Sequence, residues 1–235
     1  MTEAVGAQRR AARFVGGAYL IAMPLALFSG AYVPLHLFVT GNAAATAQNI
    51  VAHERLFRLG VGSDLLAFLV DIILIAALYT TLKPVDRHLA LFATFVRLIE
   101  TSLLVTATVN SLDTLRFLSN ADYLKPFAQD QLNALARLAI GAHGAAYSVG
   151  LTFAGVGSAV FCWLWLKSGL VPIWLACLGI GASVLLAAST GAFIVFPDLA
   201  KTLTVAVYGG PIFVFELTMG LWLVFKGVRA QAASK

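Results

Sequence analysis

Six apolar runs separated by short polar segments take up most of this 235-residue chain, at about residues 14–38, 60–82, 89–110, 138–166, 172–196 and 203–225. Each is long enough to cross a hydrocarbon layer of about 30 Å as an α-helix. Inside that layer every backbone N–H and C=O must find its partner within the protein, which leaves a helical bundle as the solution for segments of this length. Charged residues make up 11% of the chain and the mean hydropathy is +0.88, whereas a soluble domain carries roughly a quarter charged residues. The sequence therefore predicts an all-α polytopic transmembrane bundle of about six spans, forming a single integral membrane domain over residues 1–235.

The formal charge of +5 does not imply a nucleic-acid partner, because the basic residues sit at the ends of the apolar runs rather than on one soluble face. With both termini cytoplasmic, the inner side holds Arg9, Arg10, Arg13, Lys83, Arg87, Lys167, Lys226, Arg229 and Lys235. The outer side then holds Arg55, Arg58, Arg116, Lys125, Arg137 and Lys201. This excess has the sign of the positive-inside rule. Trp163, Trp165, Trp174 and Trp222 would all fall near the inner interface as an aromatic belt. Cys162 and Cys177 lie inside apolar runs and read as packing residues, not as a disulfide.

Two polar stretches are expected to hold interfacial amphipathic helices, in the first and third loops. Residues 40–58 set Ile50, Val51, Leu56 and Phe57 against Gln48, Asn49, His53, Glu54, Arg55 and Arg58. Residues 111–137 form the longest polar segment. His53-Glu54 does not begin a zinc-protease motif, since Phe57 stands where the second histidine would be. In the first span Pro24 and Pro34 should bend the helix. In the fifth, Gly179, Ser183, Ala187 and Gly191 recur every fourth residue and form a helix-packing face. In the sixth, Gly209-Gly210-Pro211 should interrupt the helix.

The chemistry is carried by ionisable residues inside these runs: Asp64 and Asp71 in the second, Arg97 and Glu100 in the third, His143 in the fourth and Glu216 in the sixth. At 1.5 Å per residue Asp71 lies roughly 16 Å from the outer end of its span, Arg97 and Glu100 roughly 12 to 17 Å from the inner end of theirs, and Glu216 roughly 20 Å below the outer end. All four are near the midplane. The short Lys83–His88 connection makes the second and third spans antiparallel neighbours, so an Asp71–Arg97 ion pair is available. Asp64 and His143 lie nearer the outer face, and together the six residues suggest an acidic, partly polar cavity opening outward; for Asp64, pairing with Arg58 at the start of the span is an alternative to a place in that cavity. Intramembrane charges are costly and by default mark function. Four carboxylates facing one arginine leave a negative excess that a proton, an inorganic cation or a cationic ligand must neutralise.

These residues support three readings. The first is a protein that binds or transports protons or a small or cationic ligand. The second is a membrane-embedded enzyme using a buried carboxyl on a lipid or isoprenoid. The third is a structural or partner-binding protein whose charges staple helices. No nucleophile motif or phosphate loop is present, a lone intramembrane histidine is too few for a metal or haem site, and no cofactor is expected. The expected partners are the lipid bilayer, a small-molecule, cation or lipid ligand, and a second copy in a homo-oligomer.

The chain resembles the bacterial integral membrane family known as domain of unknown function 4386. The resemblance rests on Ala44-Ala45-Thr46-Ala47-Gln48-Asn49-Ile50, on Leu56-Phe57-Arg58-Leu59-Gly60 leading to Asp64-Leu65-Leu66, and on Lys83-Pro84-Val85 leading to Arg97-Leu98-Ile99-Glu100. It continues through Gly150-Leu151 and Gly155, Lys167-Ser168-Gly169 with Pro172, and Phe215-Glu216-Leu217 to Trp222-Leu223 and Lys226-Gly227. Asn42 departs from the family's aspartate. The resemblance implies a multi-span protein of the bacterial inner membrane, with Arg58, Asp64, Arg97, Glu100 and Glu216 inside its motifs, and it implies no activity.

Overall fold

The structure, a computed structural model, describes residues 2–119 and 121–229. The described residues form ten α-helices and no strand: α1 (Thr2–Leu27), α2 (Val33–Leu37), α3 (Ala43–Ala52), α4 (Glu54–Leu82), α5 (Arg87–Phe117), α6 (Gln129–Ser168), α7 (Ile173–Val195), α8 (Leu199–Thr202), α9 (Val205–Tyr208) and α10 (Gly210–Phe225). Five helical stretches are long and apolar enough to cross a membrane, and α10 is a shorter apolar helix. This is an integral membrane helical bundle of about six spans.

The first span runs through α1, a π-helical turn at Phe28–Tyr32 and α2. Pro34, at the start of α2, has no N–H, and its ring crowds the carbonyl four residues before it. The chain answers by widening one turn: Val33 N–H donates to Phe28 O, five residues back, and the helix continues. The last span is broken as the sequence predicts. α9 stops at Gly209, Pro211 occupies the first turn of α10, and together the two helices run about 30 Å.

The helices close into a ring in the order α1, α4, α5, α6, α7, α10 and back to α1, each in contact with the next. Close approach around the ring depends on glycines. A Cβ on Gly16 would lie 2.9 Å from Gly220 O, where α1 crosses α10. One on Gly179 would meet the Phe215 ring at 2.5 Å and Cys162 Sγ at 2.6 Å. The small-residue row on α7 is thus a packing face, as its spacing predicts, and it seats both α6 and α10.

At one end of the bundle lie the tight turns. Asp86 caps α5, its side chain accepting from Leu89 N–H at 3.2 Å. That bond, with Lys167 at 3.5 Å, holds the Asp86 carboxyl below the usual carboxylate range. Gly169 ends α6 at φ 63°, a left-handed conformation that glycine adopts without strain. Pro172 is the N-cap of α7. The tail is tied here by Arg229 N–H donating to Leu170 O at 2.9 Å.

At the other end α3 is the expected amphipathic helix, with Ile50 fully buried against the bundle. It is shorter than its polar pattern suggests: the chain turns at His53, and Glu54–Arg58 already belongs to α4. Asn42 caps α3 by accepting from Ala45 N–H at 2.9 Å. Asparagine and aspartate serve about equally as N-caps, so the departure from the family's residue keeps this role. The polar segment 111–137 is divided between the end of α5, a 3-10 turn at Asp122–Leu124 and the first turns of α6, which at about 60 Å outruns the hydrocarbon layer. The tryptophans are not all in a belt. Trp165 is 1% exposed and belongs to the core, whereas Trp163 and Trp174 face outward, Trp174 edge-on to Trp222. Cys162 is buried and Cys177 exposed, each a free thiol.

Candidate functional site

Arg97 on α5 organises the centre of the ring. Its Nη2 donates to Asp71 Oδ1 on α4 at 2.5 Å, and its Nη1 to Ser158 Oγ on α6 at 3.3 Å. Nη1 also lies 2.9 Å from Glu100 Oε2, one helical turn along α5, but off the hydrogen-bonding axis. Arg97 is 8% exposed and Glu100 4%. Thr101 donates to the second Asp71 oxygen at 2.8 Å. The Asp71–Arg97 pair available from the short loop is therefore formed, and both aspartate oxygens are occupied. Removing this hydroxyl by Thr101→Val is expected to cost about 1.5–3 kcal/mol, the value of a hydrogen bond to a charged group, read as a lower thermal midpoint in detergent.

The room for Arg97 comes from α6. A Cβ on Gly157 would fall 2.8 Å from Arg97 Cγ, so the arginine stem lies directly on the glycine backbone. Neither Gly157 nor Ser158 is distinguished in the sequence from the other small residues of that run. Thr101 is legible in the sequence, since it follows Arg97 by four residues and shares the helical face of Arg97 and Glu100.

Glu216 projects from α10 toward the same centre. It interacts electrostatically with Arg97 and Asp71, as do Glu100 and Tyr19 with Glu216. It is only partly buried, and among the described residues it makes no hydrogen bond or ion pair. Tyr19 on α1, edge-on to Phe215 at 6.3 Å, is a further member of this centre that the sequence did not single out. Arg97 Nε and Glu100 Oε2 are buried without a hydrogen-bond partner among the described residues. Native interiors seldom tolerate such atoms without a reason.

Asp64 and His143 do not join this centre. Asp64 is 7% exposed, about 10 Å from Asp71 along α4, and it accepts a hydrogen bond from Tyr147 at 3.2 Å. Arg58 pairs instead with Glu54 at 2.7 Å, so the interfacial Asp64–Arg58 pairing is not formed. His143 stacks on Tyr147 with ring centroids 4.8 Å apart. Between the two levels lies an apolar layer of Ala67, Phe68 and Leu104, with Leu25 and the Tyr147 ring packed against it. The six candidates thus divide into a midplane centre of Asp71, Arg97, Glu100 and Glu216 and a separate pair, Asp64 and His143, nearer the α3 end. Among the described residues no group of three or more His, Cys, Asp or Glu side chains is placed to hold a metal ion.

A family model described as Domain of unknown function (DUF4386) matches residues 14–227, nearly the whole bundle and every one of these side chains. The chain belongs to this family. No curated protein and no solved structure matches it. The family assignment covers the capped turns, the broken last span and the Arg97 centre of this DUF4386 protein, and its description assigns no activity.

Proposed function

We propose that the Asp71–Arg97–Glu100–Glu216 centre binds protons reversibly, and that this DUF4386 protein is a proton-coupled binding or transport protein of a bacterial inner membrane, with both termini cytoplasmic. One observation carries the reading. Asp71 and Glu100 both lie against the single guanidinium, and Glu216 faces the same centre with no partner of its own among the described residues. If all three carboxyls were ionised, the centre would carry a surplus of two negative charges, which a low-dielectric interior strongly disfavours. Protons are the smallest neutralising species and need no enlarged space. A residue that can be neutral or charged beside a fixed Arg97–Asp71 pair is suited to coupling proton uptake to a shift between α10 and α5. The break at Gly209 gives α10 an end that can move.

The test is infrared difference spectroscopy of the full chain in lipid across a pH titration. The wild type is expected to show a protonated-carboxyl band at neutral pH that disappears at alkaline pH, and Glu216→Gln to lose the part of that band that Glu216 contributes. A spectrum with no such band, or one that Glu216→Gln leaves intact, overturns the proposal. Vesicles loaded with a pH-sensitive dye then separate transport from binding: flux that Glu216→Gln removes supports transport.

A further inference from the structure

The second level, above the apolar layer, holds a partly open pocket of about 310 Å³ between the π turn, α4, α5 and α6. Its polar groups are Asp64, Ser29, Ser111, Thr114, His143 and Tyr147, and its walls include Val33, Phe57, Val61 and Ile140. The volume is at the lower end of the range for small-molecule sites.

The hydrogen bonds of the lining determine what this pocket can accept. Tyr147 spends its proton on Asp64 at 3.2 Å. Ser29 donates to Leu25 O at 3.1 Å, and Thr114 to Asn110 O at 3.1 Å. His143 Nδ1 lies 3.0 Å from Ala107 O and 2.9 Å from Ser111 Oγ. A carbonyl only accepts, so Nδ1 carries the hydrogen toward Ala107 O, and the Ser111 hydroxyl donates to the same carbonyl at 3.5 Å. The lining's protons are thus spent within the protein, and what remains is acceptor capacity, chiefly on the Asp64 carboxylate. No lysine or arginine lines the pocket. A buried carboxylate whose partners are only the neutral hydroxyls of Tyr147 and Ser29 is under-compensated, and a ligand that brings a cationic donor completes it.

We propose that this pocket binds a protonated amine with a small apolar body, its ammonium on Asp64 and its body against Val61 and Ile140. The site uses none of the residues of the midplane centre. A zwitterionic lipid headgroup fits less well, because its phosphate would meet the Asp64 carboxylate with no basic side chain beside it.

The experiment measures binding of phenethylamine, phenethyl alcohol and phenylacetate to the full chain in detergent by saturation-transfer NMR. The amine is expected to bind at least tenfold more tightly than the alcohol, and phenylacetate not to bind. Asp64→Asn should weaken the amine at least tenfold and abolish its advantage over the alcohol. Gly144→Leu is the second variant. Gly144 lines the pocket and a Cβ there meets nothing within 4 Å, so a bulky side chain can be added at the pocket wall without disturbing a helix contact. It should also weaken the amine at least tenfold. Absence of amine binding to the wild type, equal binding of amine and alcohol, or wild-type affinity in a folded Asp64→Asn or Gly144→Leu protein overturns the proposal. Asp64→Asn leaves the Glu216 infrared band in place, so failure here and failure of the proton reading are distinguishable.

Discussion

Replacing Arg97 by methionine is expected to destabilise the bundle by about 3–5 kcal/mol, the magnitude for breaking a buried ion pair by removing one partner. The stem would still lie on Gly157, so little packing is lost. What changes is that Asp71 and Glu100 lose the only guanidinium in contact with them among the described residues, and Ser158 loses its donor. The carboxyls must then take up protons or the helices must part. The measurement is the thermal midpoint of purified protein in detergent as a function of pH. The loss should be largest at alkaline pH, where the carboxyls are ionised, and should shrink in acid, where protons substitute for the missing cation. A methionine variant as stable as the wild type at alkaline pH would show that the Arg97 pairs contribute nothing to holding α4 against α5. Arg97→Lys should recover only part of the loss, since an ammonium cannot reach Asp71, Glu100 and Ser158 with a planar fork.

The second large effect is expected at Gly155, where an added methyl group forces α6 and α7 apart. A Cβ there would lie 2.5 Å from Ser183 O and 2.6 Å from Ala187 N, both backbone atoms that cannot turn aside. Overpacking of this kind typically costs about 1–3 kcal/mol, and the absence of any flexible side chain to yield places Gly155→Ala at the upper end. Gly181→Ala is the internal control. Its Cβ would meet nothing within 4 Å, so the substitution should be neutral or stabilise by about 0.5–1 kcal/mol through helix propensity. Equal midpoints for the two variants would show that the α6–α7 contact tolerates separation. Because α7 also seats Phe215 beside Glu216, Gly155→Ala should disturb the Glu216 carboxyl band as well as stability.

Much of the bundle was legible in the chain because the membrane imposes strong rules on single segments. Hydrophobic length located the spans, Pro34 and Gly209-Gly210-Pro211 marked where the first and last would be irregular, and the α7 glycine row marked a packing face. The Asp71–Arg97 pair followed from depth and a short loop, both one-dimensional quantities. Helix ends in polar segments were harder to place. A backbone that leaves the hydrocarbon layer can go on as helix in water, so α5 and α6 extend into the segment 111–137 well beyond their apolar windows. Trp165 shows the same limit from the other side: a residue at the right depth for a belt can still face the core, because depth says nothing about rotation about the helix axis.

The sequence by itself determined that this is a multi-span membrane protein with too many carboxylates for its one buried arginine, since composition and rise per residue suffice for both. Only the tertiary structure decided which carboxylates share the arginine. Closing α1, α4, α5, α6, α7 and α10 into a ring turns Glu216 and Tyr19 toward Arg97, and it inserts Phe68 and Leu104 between Asp71 and Asp64. That apolar layer makes two sites of what the sequence presents as one outward-opening cavity. The physical reason is that membrane depth fixes one coordinate of each side chain, while the rotation of each helix, set by where Gly16, Gly155, Gly157 and Gly179 let neighbours approach, fixes the other two.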